Sequence, residues 1–200
     1  PERLKAIPES IFYYVSTANG DLKKMQKRII ALDTAIKSIA KPTLNYKFDN
    51  FTSASHNSLV LFSIPEALYQ FFAIYQPISS NEYSEKIAIL PSGYVTYLKN
   101  KYDLIEKTLY LKMPIRYNDF KAVEAAILKN KAYAELEQLA DLANKNYPKS
   151  MLSDYETGMM YEKMEDYQKA IKFYQKAYSK EEIGDLTKDL LLDKIEELKK

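Results

Sequence analysis

The sequence has no cysteine, a single histidine and only four glycines in 200 residues. Without cysteine, the chain has no thiol catalysis, no disulfide bonds and no cysteine-ligated zinc. One histidine excludes a His-Glu-x-x-His zinc site and disfavours other histidine-based metal sites. The glycines are too far apart for a Gly-x-Ser-x-Gly turn, a P-loop or a dinucleotide-binding fingerprint. We therefore expect no metal and no cofactor, and we recognise no nucleophile motif.

Charge and hydropathy also restrict the partners that the chain could have. The net charge of +2 is close to neutral and gives no electrostatic support to a nucleic-acid or anionic-membrane partner. No stretch approaches the roughly 20 apolar residues of a membrane span. The chain begins at Pro1 with neither an initiator methionine nor a signal-peptide pattern. We read it as a piece of a longer protein.

The first 80 residues alternate strand-like and helix-like patterns. Residues 10–16 form an apolar and aromatic run, typical of a strand covered on both faces in a parallel sheet. Residues 45–51 alternate aromatic and polar side chains, which predicts a second strand. Two strands with helices between and after them are the edge of an α/β sheet, but two strands do not complete such a sheet.

Two helices are predicted within this first part. Apolar residues from Leu22 to Ile39 recur at spacings of three and four, which predicts an amphipathic helix. Asp21 stands where its N-cap would be. Ser63 and Glu66 have the spacing of a capping box and predict the start of the second helix.

His56 follows the second predicted strand on a short polar loop. A histidine there suits a general base at the end of a sheet. Ser53, Ser55 and Ser58 are too close in sequence to serve it as nucleophiles, and such residues more commonly satisfy loop backbone groups. Asp21 is the nearest carboxylate in the loop after the first strand. It could cap a helix, orient His56, or do both, because a carboxylate has two oxygens.

The rest of the chain is predicted to be helical. Residues 81–116 read as a connecting helical segment, with one helix from Tyr94 to Leu109. Beyond Arg116 the chain repeats itself with a period of about 34 residues, which is typical of arrays of helical hairpins.

The repeats resemble the tetratricopeptide family in residues that set the distance between paired helices. Small and large residues alternate in the second repeat in the family's pattern; the matching residues are Gly158, Tyr161, Ala170, Tyr174 and Ala177. Pro148 falls at the family's helix-ending position. In the first repeat, Glu124 replaces the small residue that the family has at this position, so that repeat is degenerate. Residues 186–198 would form the capping helix that such arrays need.

The first part resembles the C-terminal part of an α/β-hydrolase, in the esterase family related to esterase D and the enterochelin esterases. Four segments carry the resemblance: 13–19, 46–49, 53–56 and 64–68. In that fold the catalytic residues follow one another in the order serine, acid, histidine. By that order His56 matches the catalytic base and Asp21 stands where the acid belongs, while the serine would precede Pro1. Relatives of this family are often exported, which favours a periplasmic or secreted location.

The sequence therefore predicts an α/β fragment, the C-terminal β-α-β-α of an α/β-hydrolase sheet, followed by all-α tetratricopeptide-like helical hairpins. The expected parts are residues 1–80, 81–116 and 117–200. The resemblance implies a bacterial-type serine esterase acting on a small-molecule carboxylic ester, inactive without the missing part.

The alternative is a non-catalytic module that binds a protein partner through its helical repeats. Concave-face positions of the second repeat correspond to Tyr155, Met159 and Glu162, which would contact that partner. A simpler reading is that two repeats and a cap form too short a groove, and that the array packs elsewhere or serves as a spacer.

Overall fold

The computed structural model describes residues 2–39 and 41–199. Pro1, the first residue of the expected first part, and Lys200, the last residue of the expected last part, lie outside the described residues. The chain divides into two compact units, Pro1–Tyr75 and Gln76–Lys200. Within the described residues it is mostly helical, with ten helices and a small two-stranded parallel sheet. An α/β part accompanied by helices is therefore present. The three-part division expected from the sequence stays a prediction.

The first unit contains both strands. Its elements in chain order are α1 (Glu2–Ala6), β1 (Ile11–Gly20), α2 (Lys23–Lys37), β2 (Leu44–Ser55), α3 (Leu59–Phe71) and a 3₁₀ turn (Ala73–Tyr75).

The two strands pair in parallel, as the run without alternation in β1 predicted. The register runs from Ile11 opposite Leu44 to Ala18 opposite Phe51. It then shifts, so that Gly20 lies opposite Ser55. Parallel pairing brings the carboxyl ends of both strands to one edge of the sheet. The loops that follow β1 and β2 therefore start side by side.

Both predicted helices of this unit are present, but their predicted N-terminal caps were wrong. The N-cap of α2 is Leu22, and it has no side-chain capping bond. Asp21 accepts only the Leu22 amide from this helix start, because its carboxylate also binds Thr17 and His56. Ser63 lies inside α3, four residues after Leu59, and its hydroxyl donates to the Leu59 carbonyl. The helix starts earlier than the capping-box spacing indicated.

The second unit consists of helices. A short helix α4 (Ser80–Glu82) runs into a π-helical turn (Tyr83–Ile87). The remaining helices are α5 (Tyr94–Leu109), α6 (Tyr117–Lys129), α7 (Glu135–Asn146), α8 (Leu152–Lys163), α9 (Tyr167–Tyr178) and α10 (Lys188–Glu197). The helix predicted to carry Tyr94 and Leu109 and to end before Pro114 is confirmed as α5. No helix among the described residues is long and apolar enough to cross a membrane.

The predicted small-to-large packing is present in the α8–α9 hairpin. Gly158, Ala170, Tyr174 and Ala177 are fully or almost fully buried. A Cβ atom on Gly158 would lie 2.7 Å from two ring atoms of Tyr174. Glycine is required there because the tyrosine ring occupies the volume that a side chain would fill.

We predict that Gly158→Ala destabilises the second unit. Alanine favours the helical state by up to about 1 kcal/mol over glycine, but overpacking a core costs about 1–3 kcal/mol. The expected net loss is therefore about 1 kcal/mol, measured by urea unfolding followed by circular dichroism. In a Tyr174→Leu background the same substitution should cost less, because the ring is gone. An alanine variant at least as stable as the parent would contradict this packing.

Candidate catalytic dyad

The single histidine lies at the carboxyl edge of the sheet, directly after β2. The His56 amide donates to the Gly20 carbonyl at 3.4 Å, which joins the end of β2 to the end of β1. Gly20 allows this approach, since a Cβ atom there would lie 2.9 Å from the Ala54 carbonyl oxygen. The two loops are thus held against each other by backbone contacts.

His56 and Asp21 form a hydrogen-bonded pair across these loops. The His56 Nδ1 atom lies 2.6 Å from Asp21 Oδ1. The Asp21 side chain is buried with 1% of its surface exposed, whereas the His56 side chain is 48% exposed. The arrangement is therefore a buried carboxylate beneath an imidazole that solvent or a ligand can reach.

Asp21 is held by two further donors. The Leu22 amide donates to Oδ1 at 2.8 Å, and the Thr17 hydroxyl donates to Oδ2 at 3.2 Å. Burial by itself would raise the pKa of Asp21, but hydrogen bonds from His56, Leu22 and Thr17 outweigh it and hold that pKa below its ordinary value. The stability that these bonds contribute is present above the ordinary aspartate pKa and is lost as pH falls through the lowered one.

This contact fixes which nitrogen of the ring carries the proton. An ionised carboxylate only accepts hydrogen bonds, so Nδ1 must donate and Nε2 of the neutral ring keeps its lone pair. No hydrogen bond to Nε2 is formed within residues 2–39 and 41–199. Chemically, Nε2 can take a proton from a hydroxyl placed beside it, and Asp21 would stabilise the imidazolium that results.

The hydroxyl groups of Ser55 and Ser58 form hydrogen bonds with each other and with the backbone, as expected. The Ser58 hydroxyl accepts from the Ser55 amide at 2.9 Å and lies 3.0 Å from the Ser55 hydroxyl. Among the described residues, no serine hydroxyl is hydrogen-bonded to the His56 ring.

Thr17 was not singled out from the sequence. It is fully buried at the end of β1, four residues before Asp21. A small hydroxyl residue just after the predicted strand and four residues before the candidate acid was the available signal. The side chain of Asn19, two residues before Asp21, accepts a hydrogen bond from the Asn50 side chain at 3.3 Å.

The residues predicted to bind a protein partner lie in the second unit. Tyr155 and Met159 are 5% and 3% exposed, so their side chains pack inside this chain. Glu162 pairs with Lys163 and Lys194 and accepts from the Tyr174 hydroxyl. A partner-binding role for the three stays a prediction, which this burial disfavours.

Comparisons with known proteins point to a solved structure and not to a named family. No family model matches the chain, and no curated protein matches it. Among solved structures, the chain is similar to an uncharacterised protein from Capnocytophaga ochracea DSM 7271, with 33% sequence identity and a TM-score of 0.81. The match covers 96% of this chain and 54% of that protein, so the chain spans about half of its length.

We predict that Asp21→Ala changes the tautomer of His56. Alanine offers Nδ1 no acceptor, so nothing holds the ring proton on that nitrogen and the form protonated at Nε2 gains population. The ¹⁵N chemical shifts of the His56 ring distinguish the two forms.

Asp33→Ala is the matched control, because Asp33 is also a buried aspartate of the first unit but pairs with Tyr46 and Lys37. It should leave the His56 ring unchanged. The same tautomer in the Asp21 variant and the parent would show that Asp21 does not orient the ring.

Proposed function

We propose that this chain is the C-terminal portion of a serine carboxylic-ester hydrolase with an α/β-hydrolase fold. The observation that carries the proposal is the His56–Asp21 pair at the carboxyl edge of two parallel strands. The acid follows the first strand and the histidine follows the second, in the chain order of that superfamily. Ligands of open α/β sheets bind outside the carboxyl ends of the strands.

In the proposed reaction His56 acts as general base and then as general acid. A serine hydroxyl on polypeptide outside this chain would give its proton to Nε2 as its oxygen attacks the ester carbonyl. The tetrahedral intermediate would collapse to an acyl-serine, and His56 would return the proton to the leaving alcohol. Water, activated by the same nitrogen, would then release the acid and regenerate the serine. Asp21 would stabilise the imidazolium in both steps.

The first unit has features of a sheet that continues beyond two strands. Parallel sheets are normally covered on both faces and contain more strands. Helix α3 has no buried residue, and apolar side chains such as Leu61 and Ile64 are 76% and 54% exposed. These surfaces are the kind that a larger hydrolase body would cover. The Capnocytophaga ochracea protein, with about half of its length outside the match, has room for such a body.

The chemistry of the two free edges indicates the side on which the sheet would continue. Strand β2 carries Lys47 and Asp49, and charged side chains of this kind protect an edge against pairing. Strand β1 has no charged residue. The Ile11 amide donates to the Thr43 carbonyl, so by alternation the amides of Phe12, Tyr14 and Ser16 face away from β2. Further strands would pair there.

The alternative, a protein-binding helical module, receives less support. Its predicted contact residues Tyr155 and Met159 are buried within the second unit. The catalytic proposal instead uses a histidine whose side chain is about half exposed.

We predict that the full-length protein reacts with a fluorophosphonate probe and that the 200-residue chain alone does not. His56→Ala in the full-length protein should lower ester hydrolysis by several orders of magnitude, because the nucleophile loses its base. Hydrolysis of a chromogenic short-chain ester measures this loss.

Asp33→Ala again serves as control and should keep near-parental activity. Labelling of the isolated chain, or full activity of the His56 variant, would refute the esterase proposal. If changes at Tyr155 weakened capture of a protein partner while His56→Ala had no effect, the alternative would be correct.

A further prediction concerns the backbone. In the full-length protein, the amides of Phe12, Tyr14 and Ser16 should exchange slowly with deuterium, because a neighbouring strand accepts from them. The outward amides of Leu44, Tyr46 and Phe48 in β2 should exchange fast. The reverse pattern would place the rest of the sheet beside β2.

A further inference from the structure

Two glutamates are buried together in the second unit. Glu124 on α6 and Glu156 on α8 are 5% and 0% exposed. Burying an ionised carboxylate without compensation costs so much free energy that such a group commonly takes up a proton instead. Neither residue belongs to the candidate catalytic dyad.

The glutamate pair, Glu124 and Glu156, lacks hydrogen-bond donors. Both carboxyl oxygens of Glu156 and Oε2 of Glu124 have no partner within the described part of the chain. The two side chains are, however, within hydrogen-bonding reach of each other. Two ionised carboxylates only accept, so one proton is needed to make a bond between them.

The cations nearby do not neutralise both groups. Lys121 Nζ lies 3.9 Å from Glu124 Oε1 and 3.9 Å from Asp185 Oδ2, so its charge is divided. Lys194 on α10 forms its ion pair with Glu162, at 2.8 Å. The other titratable groups that interact with the pair are neutral tyrosines on three helices: Tyr117 on α6, Tyr155 on α8 and Tyr174 on α9.

We propose that Glu124 and Glu156 share one proton in the folded state and that losing it destabilises the second unit. One carboxyl group then donates to the other, and the pair carries a single negative charge beside Lys121. When the proton leaves, two like charges face each other in a buried site. The second unit therefore contains a device that makes its stability sensitive to pH.

The direction of this pH dependence follows from burial. Burial raises the pKa of Glu156 well above its ordinary value, and the neighbouring Glu124 raises it further. Burial also raises the pKa of Glu124, although Lys121 opposes that change. A group with a raised pKa in the folded state stabilises that state at low pH, and this stability is lost as pH rises through the raised pKa.

The test is the pH dependence of unfolding of the full chain. As pH rises above the ordinary glutamate range, the folding equilibrium constant of the parent should fall, by up to about tenfold per pH unit, where the shared proton is released. In Glu156→Gln the amide donates to Glu124 permanently, so this fall should disappear. Glu162→Gln is the control: it removes a half-buried carboxylate held by Lys194 and should keep the parental dependence of stability on pH.

The proposal would be overturned if the folding equilibrium constant changed equally with pH in the parent and in Glu156→Gln. A parent whose stability does not change with pH would also overturn it. If Glu156→Gln does not fold, the ¹³C carboxyl shifts of the parent decide the question. One of the two carboxyl groups should stay protonated well above the ordinary glutamate pKa, whereas titration of both near that ordinary value would contradict the shared proton.

Discussion

The hydrogen bond between His56 and Asp21 is the interaction on which the functional account depends. It exists because β1 and β2 run parallel and end at the same edge, and because Gly20 lets the two ends approach closely. The carboxylate is buried and the imidazole is half exposed. This combination fixes the ring while leaving one nitrogen free to react, which is what a general base requires.

Sequence patterns predicted the parallel strands, the amphipathic helices and the position of His56 at the sheet edge. These features depend on local periodicity and on turn residues, which are visible in one sequence. The caps at Asp21 and Ser63 were wrong because a tertiary contact, or a longer helix, overrode local spacing. Thr17 could not be ranked above other strand residues, because its role depends on a contact made by folding. The burial of Tyr155 and Met159 likewise depends on how helices pack around them.

The two units contain buried carboxylates that are stabilised in different ways. Asp21 receives three donors, and its pKa is lowered despite burial. Glu124 and Glu156 lack such donors, and burial raises the pKa of both. The same cost of burying charge therefore yields a fixed, ionised orienting group in one unit and a group that favours protonation in the other. Composition alone does not distinguish these outcomes, since each depends on neighbours from other helices or strands.

A crystal structure of the complete protein would test the central claim most directly. The account predicts a serine hydroxyl within about 2.6–3.2 Å of His56 Nε2, on the side of the ring opposite Asp21. It also predicts that the Nδ1 contact with Asp21 is kept. A His56 ring that faces bulk solvent in the complete protein, or that is covered by apolar side chains with no hydroxyl beside it, would contradict the catalytic role.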